Sequence, residues 1–284
     1  MREQARPESG AVSNATKLLG GVMHDLESLL SKLAPVRIAV SGGVDSMTLA
    51  ILAGRVLGAK STVIHAVSPA VPAEATQRVR QVSRSEGWTL HVIDSGEFTD
   101  ESYLANPYNR CFHCKTNLYQ SIATLAQGTI LSGANLDDLG DYRPGLRAAS
   151  DYGVLHPFVA CHVDKQTVRA LCHHLGYPDI ARLPAAPCLS SRMETGLRID
   201  AGALAFIHQI EREITEAFRP TTVRCRIRRE SVVLELDPAT LDALLNAGES
   251  AWQNHVAILA SKLGLPEVVR FEPYQRGSAF VENH

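Results

Sequence analysis

The chain has 284 residues, 45% hydrophobic and 20% charged, with 28 Lys and Arg against 30 Asp and Glu. That composition fits one large or two smaller soluble domains, and a formal net charge of -2 argues against a protein that coats nucleic acid. No apolar run reaches the roughly 18 residues that span a bilayer and the polar first ten residues hold no secretory signal, so a cytoplasmic location is expected, with no membrane or nucleic-acid partner.

Residues 1–17 read as a disordered leader. Apolar residues then recur at helical spacing over 18–33, and Pro35 ends that helix. The β-branched run 36–40 reads as a buried strand. A glycine loop follows, then a helix over 47–57, a strand over 61–67, a helix over 73–86 and a strand over 89–93. A helix over 116–127 and a strand over 129–132 complete the series. Alternation at this spacing predicts an α/β fold, a doubly wound parallel sheet with helices on both faces. Ligands of such sheets bind beyond the carboxyl ends of the strands, where the glycine loop, Ser68-Pro69 and Gly133-Ala134-Asn135 fall.

Another helix is expected over 165–175, and 176–196 is rich in turn residues. Beyond it come a helix over 201–218, strands over 222–228 and 231–236, helices over 238–246 and 249–263, and a short strand over 268–271. The expected organisation is an α/β domain over 18–194 and a smaller α+β domain over 195–284, for substrate binding and oligomerisation.

The loop Ser41-Gly42-Gly43-Val44-Asp45-Ser46 joins a buried strand to a helix. Gly42 and Gly43 let the backbone approach an anion closely. The helix N-terminus attracts negative charge, and Ser41 and Ser46 add hydroxyl donors. No lysine follows the loop, so it is not the Gly-x-x-x-x-Gly-Lys-Ser/Thr loop of ordinary NTPases. The hexapeptide resembles the PP-loop of the ATP pyrophosphatase superfamily. That resemblance implies cleavage of ATP to AMP and pyrophosphate, adenylation of a substrate oxygen, and a place for Asp45 beside the phosphates or their Mg2+. Gly133-Ala134-Asn135-Leu136-Asp137-Asp138, at the end of the fourth strand, resembles a second element of that superfamily. It makes Asp137 and Asp138 candidates for metal or ATP contacts, against the plain reading of a solvated turn.

Further motifs narrow the resemblance. Asn109-Arg110-Cys111-Phe112-His113-Cys114-Lys115, Asp141-Tyr142-Arg143-Pro144-Gly145 and Pro187-Cys188-Leu189-Ser190-Ser191-Arg192 together resemble the LarE family. Val223-Arg224-Cys225-Arg226 and Tyr274-Gln275-Arg276-Gly277-Ser278 carry the likeness to about residue 280. LarE proteins are ATP-dependent sulfur transferases of nickel-pincer nucleotide synthesis. The resemblance implies that a carboxylate of pyridinium-3,5-biscarboxylic acid mononucleotide is adenylated and converted to a thiocarboxylate. It also implies a homo-oligomer, with a hexamer as one form. By resemblance Cys188 is the sulfur-bearing catalytic residue, and Arg224, Arg226 and Arg276 bind the substrate phosphate; Arg192, four residues on, is a candidate to lower the pKa of Cys188. The bland reading of the arginines is a solvated strand face.

Three readings of the cysteines stay open. In one, Cys111, Cys114 and Cys188 hold a [4Fe-4S] cluster, leaving one iron open for an extra sulfide; this is favoured. In another, Cys188 gives up its own sulfur. In the third, the pair with His113 and Cys188 binds structural Zn2+, although a second Cys-x-x-Cys is absent. Cys161, Cys172 and Cys225 read as small core residues, and Trp88 and Trp252 likewise. Other functions weighed are a tRNA-thiolating PP-loop enzyme, an amidating synthetase, and a nucleotide-binding module that has lost catalysis.

Overall fold

The computed structural model describes residues 9–125, 127–140 and 144–279. The first eight residues of the expected leader and Asp141-Tyr142-Arg143 lie outside them, while residues 9–17, expected to be disordered, form the start of a helix. The elements in order are α1 (Ser9–Leu33), β1 (Val36–Ala39), α2 (Val44–Leu57), β2 (Ser61–Ala66), α3 (Ala73–Glu86) and β3 (Thr89–Ile93). Next come α4 (Glu101–Leu104), α5 (Arg110–Leu125), β4 (Thr129–Leu131), α6 (Pro144–Asp151), α7 (Pro157–Ala160), α8 (Lys165–His174) and α9 (Pro178–Ala181). The chain ends with α10 (Ala201–Phe218), β5 (Val223–Ile227), β6 (Val232–Leu236), α11 (Pro238–Ser261) and β7 (Val269–Pro273).

Two compact units share these elements. Met1–Ala66, Glu74–Ile93 and Leu118–Ala186 form the first; Val67–Ala73, Asp94–Asn117 and Pro187–His284 form the second. The division differs from the single boundary expected near residue 195. Two stretches from within the first domain, and 187–194, belong to the second unit, because its core recruits Ala70, Tyr103, Leu104, Leu189 and Met193.

In the first unit the sheet order is β3-β2-β1-β4, and every pairing is parallel. The doubly wound α/β class is therefore the observed one. All four residues of β1 are buried, as expected of a strand covered on both faces. The exception to its apolar run, Arg37, donates to the carbonyls of Ile122 at 2.8 Å and Gly128 at 3.0 Å, which satisfies a guanidinium that burial disfavours. Helix α2 is buried nearly all round, so it packs as a central helix rather than a surface one. Its Met47, Leu49 and Ile51 meet Leu26 and Leu30 of α1, Ile38 of β1, and Val168 and Leu171 of α8. Each such side chain, fully buried, contributes about 1.5–3 kcal/mol.

In the second unit β5 and β6 are antiparallel and β6 and β7 parallel. Helix α10 packs on β5 and α11 on β7. The core holds Leu204, Ile207 and Ile210 of α10 with Cys225, Val232, Leu234 and Val256. The two helices expected over 238–246 and 249–263 are the halves of α11. They meet at Gly248, whose φ of 134° lies outside helical space and suits glycine. Among the described residues no helix is long and apolar enough to cross a membrane.

Candidate functional site

The glycine loop closes on itself. Ser46 Oγ accepts from the Ser41 N–H at 3.1 Å and lies 3.2 Å from Ser41 Oγ. Gly42 has φ +86°, and a Cβ there would stand 2.9 Å from the Ala75 carbonyl oxygen; only glycine suits the position. From α3, Arg78 Nη1 donates to the Gly42 carbonyl at 2.7 Å. Under the loop, His65 bridges the Val40 carbonyl (Nδ1, 2.8 Å) and Thr76 Oγ1 (Nε2, 2.9 Å). The first turn of α2 then presents N–H groups that favour an anion.

The second acidic motif packs directly against this loop. A Cβ on Gly133 would fall 2.7 Å from the Asp45 carbonyl carbon and the Ser46 nitrogen, so the two backbones touch there. Buried Asn135 donates from Nδ2 to Asp45 Oδ1 at 3.2 Å. Its backbone N–H donates to Asp138 Oδ2 at 3.1 Å, and its Oδ1 accepts from the Asp137 N–H at 3.1 Å. Lys165, the first residue of α8, completes the group. Its Nζ lies 2.5 Å from Asp45 Oδ2, and its N–H donates to Asp137 Oδ2 at 2.9 Å. Asp45, Asp137, Asp138 and Lys165 thus gather around one loop. Lys165 was missed from sequence, as were Arg78 and His65; Asn135 was read there as part of its motif, without a role of its own. The only signal for Lys165 is its place at the start of a helix after the capping residue Asp164.

The candidate sulfur-handling residues lie in the second unit. Helix α5 starts at Arg110 rather than near 116, so Cys111 and Cys114 occupy its first two turns, three positions apart on one face. Cys188 precedes the 3-10 turn Leu189–Arg192, which is anchored by Leu189 N–H donating to the Ala70 carbonyl at 2.9 Å. Burial pushes the Cys114 thiol up to about 12; Cys188, Glu97 and Cys111 reinforce the rise, against Lys115. Burial, with Cys188 and Cys114 behind it, also raises the Tyr103 hydroxyl, which lies 2.6 Å from Ser190 Oγ. Cys114 and Cys188 both pack against the apolar wall of Tyr103, Leu104, Leu189 and Met193, and Cys114 feels the charge of both Cys188 and Cys111. Three thiols are the ligand number that leaves one iron of a [4Fe-4S] cluster open. Among the described residues no three His, Cys, Asp or Glu side chains converge tightly enough to hold a single ion; cysteines on separate irons need no common point. None of the six cysteines is in a disulfide, and Cys172 and Cys225 are buried while Cys161 is half-buried.

The arginines divide by environment. Arg192 donates to both Glu211 oxygens at 2.9 and 3.0 Å and to the carbonyls of Pro187 at 2.6 Å and Cys188 at 3.0 Å. Its charge is matched by Glu211, a residue missed from sequence, and it fixes the backbone that bears the thiol. Arg226, 4% exposed, is enclosed: it donates to Glu235 at 3.0 Å and to the carbonyls of Ser191 at 3.0 Å and Gln275 at 3.3 Å. The solvated-face reading fails for it. Half-buried Arg224 stands over the Tyr274 ring, 5.9 Å from its centroid, and burial followed by neighbouring Arg192 lowers its pKa. Arg276 is exposed.

A parallel sheet whose strand β1 feeds a self-closed Ser-Gly-Gly-Val-Asp-Ser turn, braced by an Asn and Asp motif, defines a doubly wound α/β protein with a second, smaller unit. No family model matches the chain. An uncharacterized protein of Synechocystis is 33% identical over 225 residues, 78% of this chain and 83% of that protein. The pyridinium-3,5-bisthiocarboxylic acid mononucleotide synthase of Lactiplantibacillus plantarum is 26% identical over 225 residues, 78% and 81% of the two chains. An uncharacterized protein of Methanocaldococcus jannaschii is 24% identical over 216 residues, 75% and 81%. The chain belongs to the LarE family.

Proposed function

We propose that this protein is an ATP-dependent sulfurtransferase that makes a thiocarboxylate on a pyridinium-3,5-biscarboxylic acid mononucleotide, in nickel-pincer nucleotide synthesis. The product class is that in the printed name of the Lactiplantibacillus relative. The observation that carries the adenylating half is the contact of Asn135 and Lys165 with Asp45 at the glycine loop.

The chemistry follows from what a carboxylate lacks. Its charge repels nucleophiles and its oxygen leaves poorly, and adenylation removes both obstacles. The Ser41–Ser46 loop holds the pyrophosphate end of ATP. Asp45 would hold Mg2+ together with the ATP phosphates, and the ion would supply charge neutralisation there; Asp137 and Asp138 are the further candidates for metal or ATP contacts. Lys165 offers a cation to the same oxygens. A substrate carboxylate oxygen attacks the α-phosphorus, the bond to the β-phosphate oxygen breaks, and pyrophosphate leaves. Sulfur then attacks the acyl carbon, the bond to the AMP oxygen breaks, and AMP departs with that oxygen.

Cys111, Cys114 and Cys188 would hold a [4Fe-4S] cluster, which when bound supplies an open iron position for the sulfur to be delivered. Arg192 and Glu211 keep the Cys188 segment in place. Arg224 and Arg276 present guanidinium groups for the substrate phosphate, with Arg226 supporting the Ser191 and Gln275 backbone beside them.

The test is exchange of labelled pyrophosphate into ATP. Exchange that requires the biscarboxylate mononucleotide supports the reading, and its absence with Mg2+ and substrate present contradicts it. Iron and sulfide content after anaerobic purification separates the cluster from sacrifice of the Cys188 sulfur, which lowers the chain mass by the loss of that sulfur.

A further inference from the structure

The two segments of the second unit that carry the candidate sulfur-handling cysteines lie far apart in sequence, and something must set their spacing. Between Glu101 and Arg110 the chain is laced repeatedly to 190–199. Arg198 forks onto the Glu101 carboxylate at 2.6 and 2.9 Å. Ile199 N–H donates to the Leu104 carbonyl at 2.8 Å. Tyr103 meets Ser190 as described.

The centre of the lacing is Asn106, fully buried and with φ +53°, a left-handed conformation that asparagine tolerates better than most residues. Every polar group of this residue is used. Its Nδ2 donates to the Glu194 carbonyl at 2.8 Å, and its own carbonyl accepts from the Gly196 N–H at 2.9 Å. Its N–H donates to the Tyr103 carbonyl at 3.0 Å. Its Oδ1 accepts from Arg110 Nη1 at 2.8 Å. Arg110, 1% exposed, is the first residue of α5 and stands directly before Cys111.

We propose that Asn106 and Arg110 form a positioning clamp that sets the spacing of the Cys111–Cys114 pair to Cys188. One end of Asn106 grips the start of α5. The other grips Glu194 and Gly196, which follow the Cys188–Arg192 turn by a few residues. The clamp explains why α5 begins at Arg110, where the sequence has little amphipathic pattern. It rests on the proposed function only in taking the three thiols as one sulfur-handling site; the contacts stand without it.

Asn106→Gly is the informative variant, because glycine keeps the left-handed backbone at no steric cost while removing both side-chain bonds. The probe is dibromobimane, which bridges two nearby thiols, with the bridged peptides identified by mass spectrometry. The wild-type chain is expected to give a Cys114–Cys188 bridge. Asn106→Gly slows bridging by about tenfold or more, and Asn106→Asp, which keeps the Arg110 contact and loses the donor to Glu194, falls between. Single-thiol alkylation of Cys188 stays within about twofold. Equal bridging rates in the three chains, or no Cys114–Cys188 bridge in the wild type, overturn the clamp. If Asn106→Gly does not fold, the Asn106→Asp comparison alone decides. Iron content after anaerobic reconstitution is a separate readout. Wild-type protein without iron but with clamp-dependent bridging removes the cluster and leaves the clamp standing.

Discussion

The ammonium of Lys165 lies 2.5 Å from the carboxylate of Asp45, across 120 residues of sequence. A glycine loop with no lysine of its own thus receives one from α8. The pair is only partly shielded, with side chains 31% and 26% exposed, so in the proposed nucleotide site Lys165 is free to exchange Asp45 for a phosphate oxygen.

Lys165→Ala leaves the Asp45 charge unopposed beside the incoming phosphates. The ATP concentration for half-maximal pyrophosphate exchange rises by about tenfold or more, the size of a charge-assisted hydrogen bond. Lys165→Arg recovers part of the loss. An unchanged ATP dependence in Lys165→Ala places the lysine outside the nucleotide site.

Gly133→Ala tests the close approach of the two motifs. The added Cβ would meet backbone atoms at 2.7 Å, and backbone cannot move aside as a flexible side chain can. Stability falls by about 1–3 kcal/mol in urea denaturation, and nucleotide binding weakens with it. Wild-type behaviour in both would mean that loop and motif are not in contact.

These two residues also mark what the sequence could tell. Strands β1 and β2 were readable because buried parallel strands are β-branched runs, and β1 to β4 all fall within a residue or two of expectation. The glycine loop and Asp137-Asp138 were readable because their spacing is local. Lys165 was not, since no pattern near residue 41 points to a lysine that only the α8 packing brings there. The start of α5 was obscured for a similar reason: the contacts that fix Arg110 come from Asn106, in a buried left-handed turn. Short helices such as α4, α7 and α9 span too few residues to show a period. Arg226 looked like a surface charge until Glu235 and Ser191 enclosed it.

Acid should weaken the first unit through His65. Burial, aided by Arg80, lowers its pKa below 6.5 against the opposing bond to Val40. Between the folded value and 6.5 the unfolded chain binds a proton that the folded chain refuses. This contribution is therefore complete above pH 6.5 and is lost as pH falls through that window, by at most about 1.4 kcal/mol per pH unit. His156, lowered mainly by burial, acts in the same direction. Urea midpoints measured across the window drop in the wild type and drop less in His65→Gln; equal slopes contradict the assignment.

Glu211→Gln strips a buried guanidinium of its counter-charge. Arg192 is 4% and Glu211 12% exposed at the side chain, and breaking such a pair costs about 3–5 kcal/mol. Glu101→Gln, at the exposed Arg198 pair, leaves the urea midpoint unchanged within error. Glu211→Gln also changes the alkylation rate of Cys188, because Arg192 holds the carbonyls of Pro187 and Cys188. Equal stability of the two variants would show that the buried pair is not intact in solution.

The central claim is that a carboxylate is activated by AMP before sulfur replaces its oxygen. The direct measurement uses substrate with oxygen-18 in both carboxylates, ATP and Mg2+, followed by mass spectrometry of the nucleotide released. The account predicts AMP carrying one oxygen-18 atom for each thiocarboxylate formed. Release of ADP, or of unlabelled AMP beside the thiocarboxylate, would contradict it.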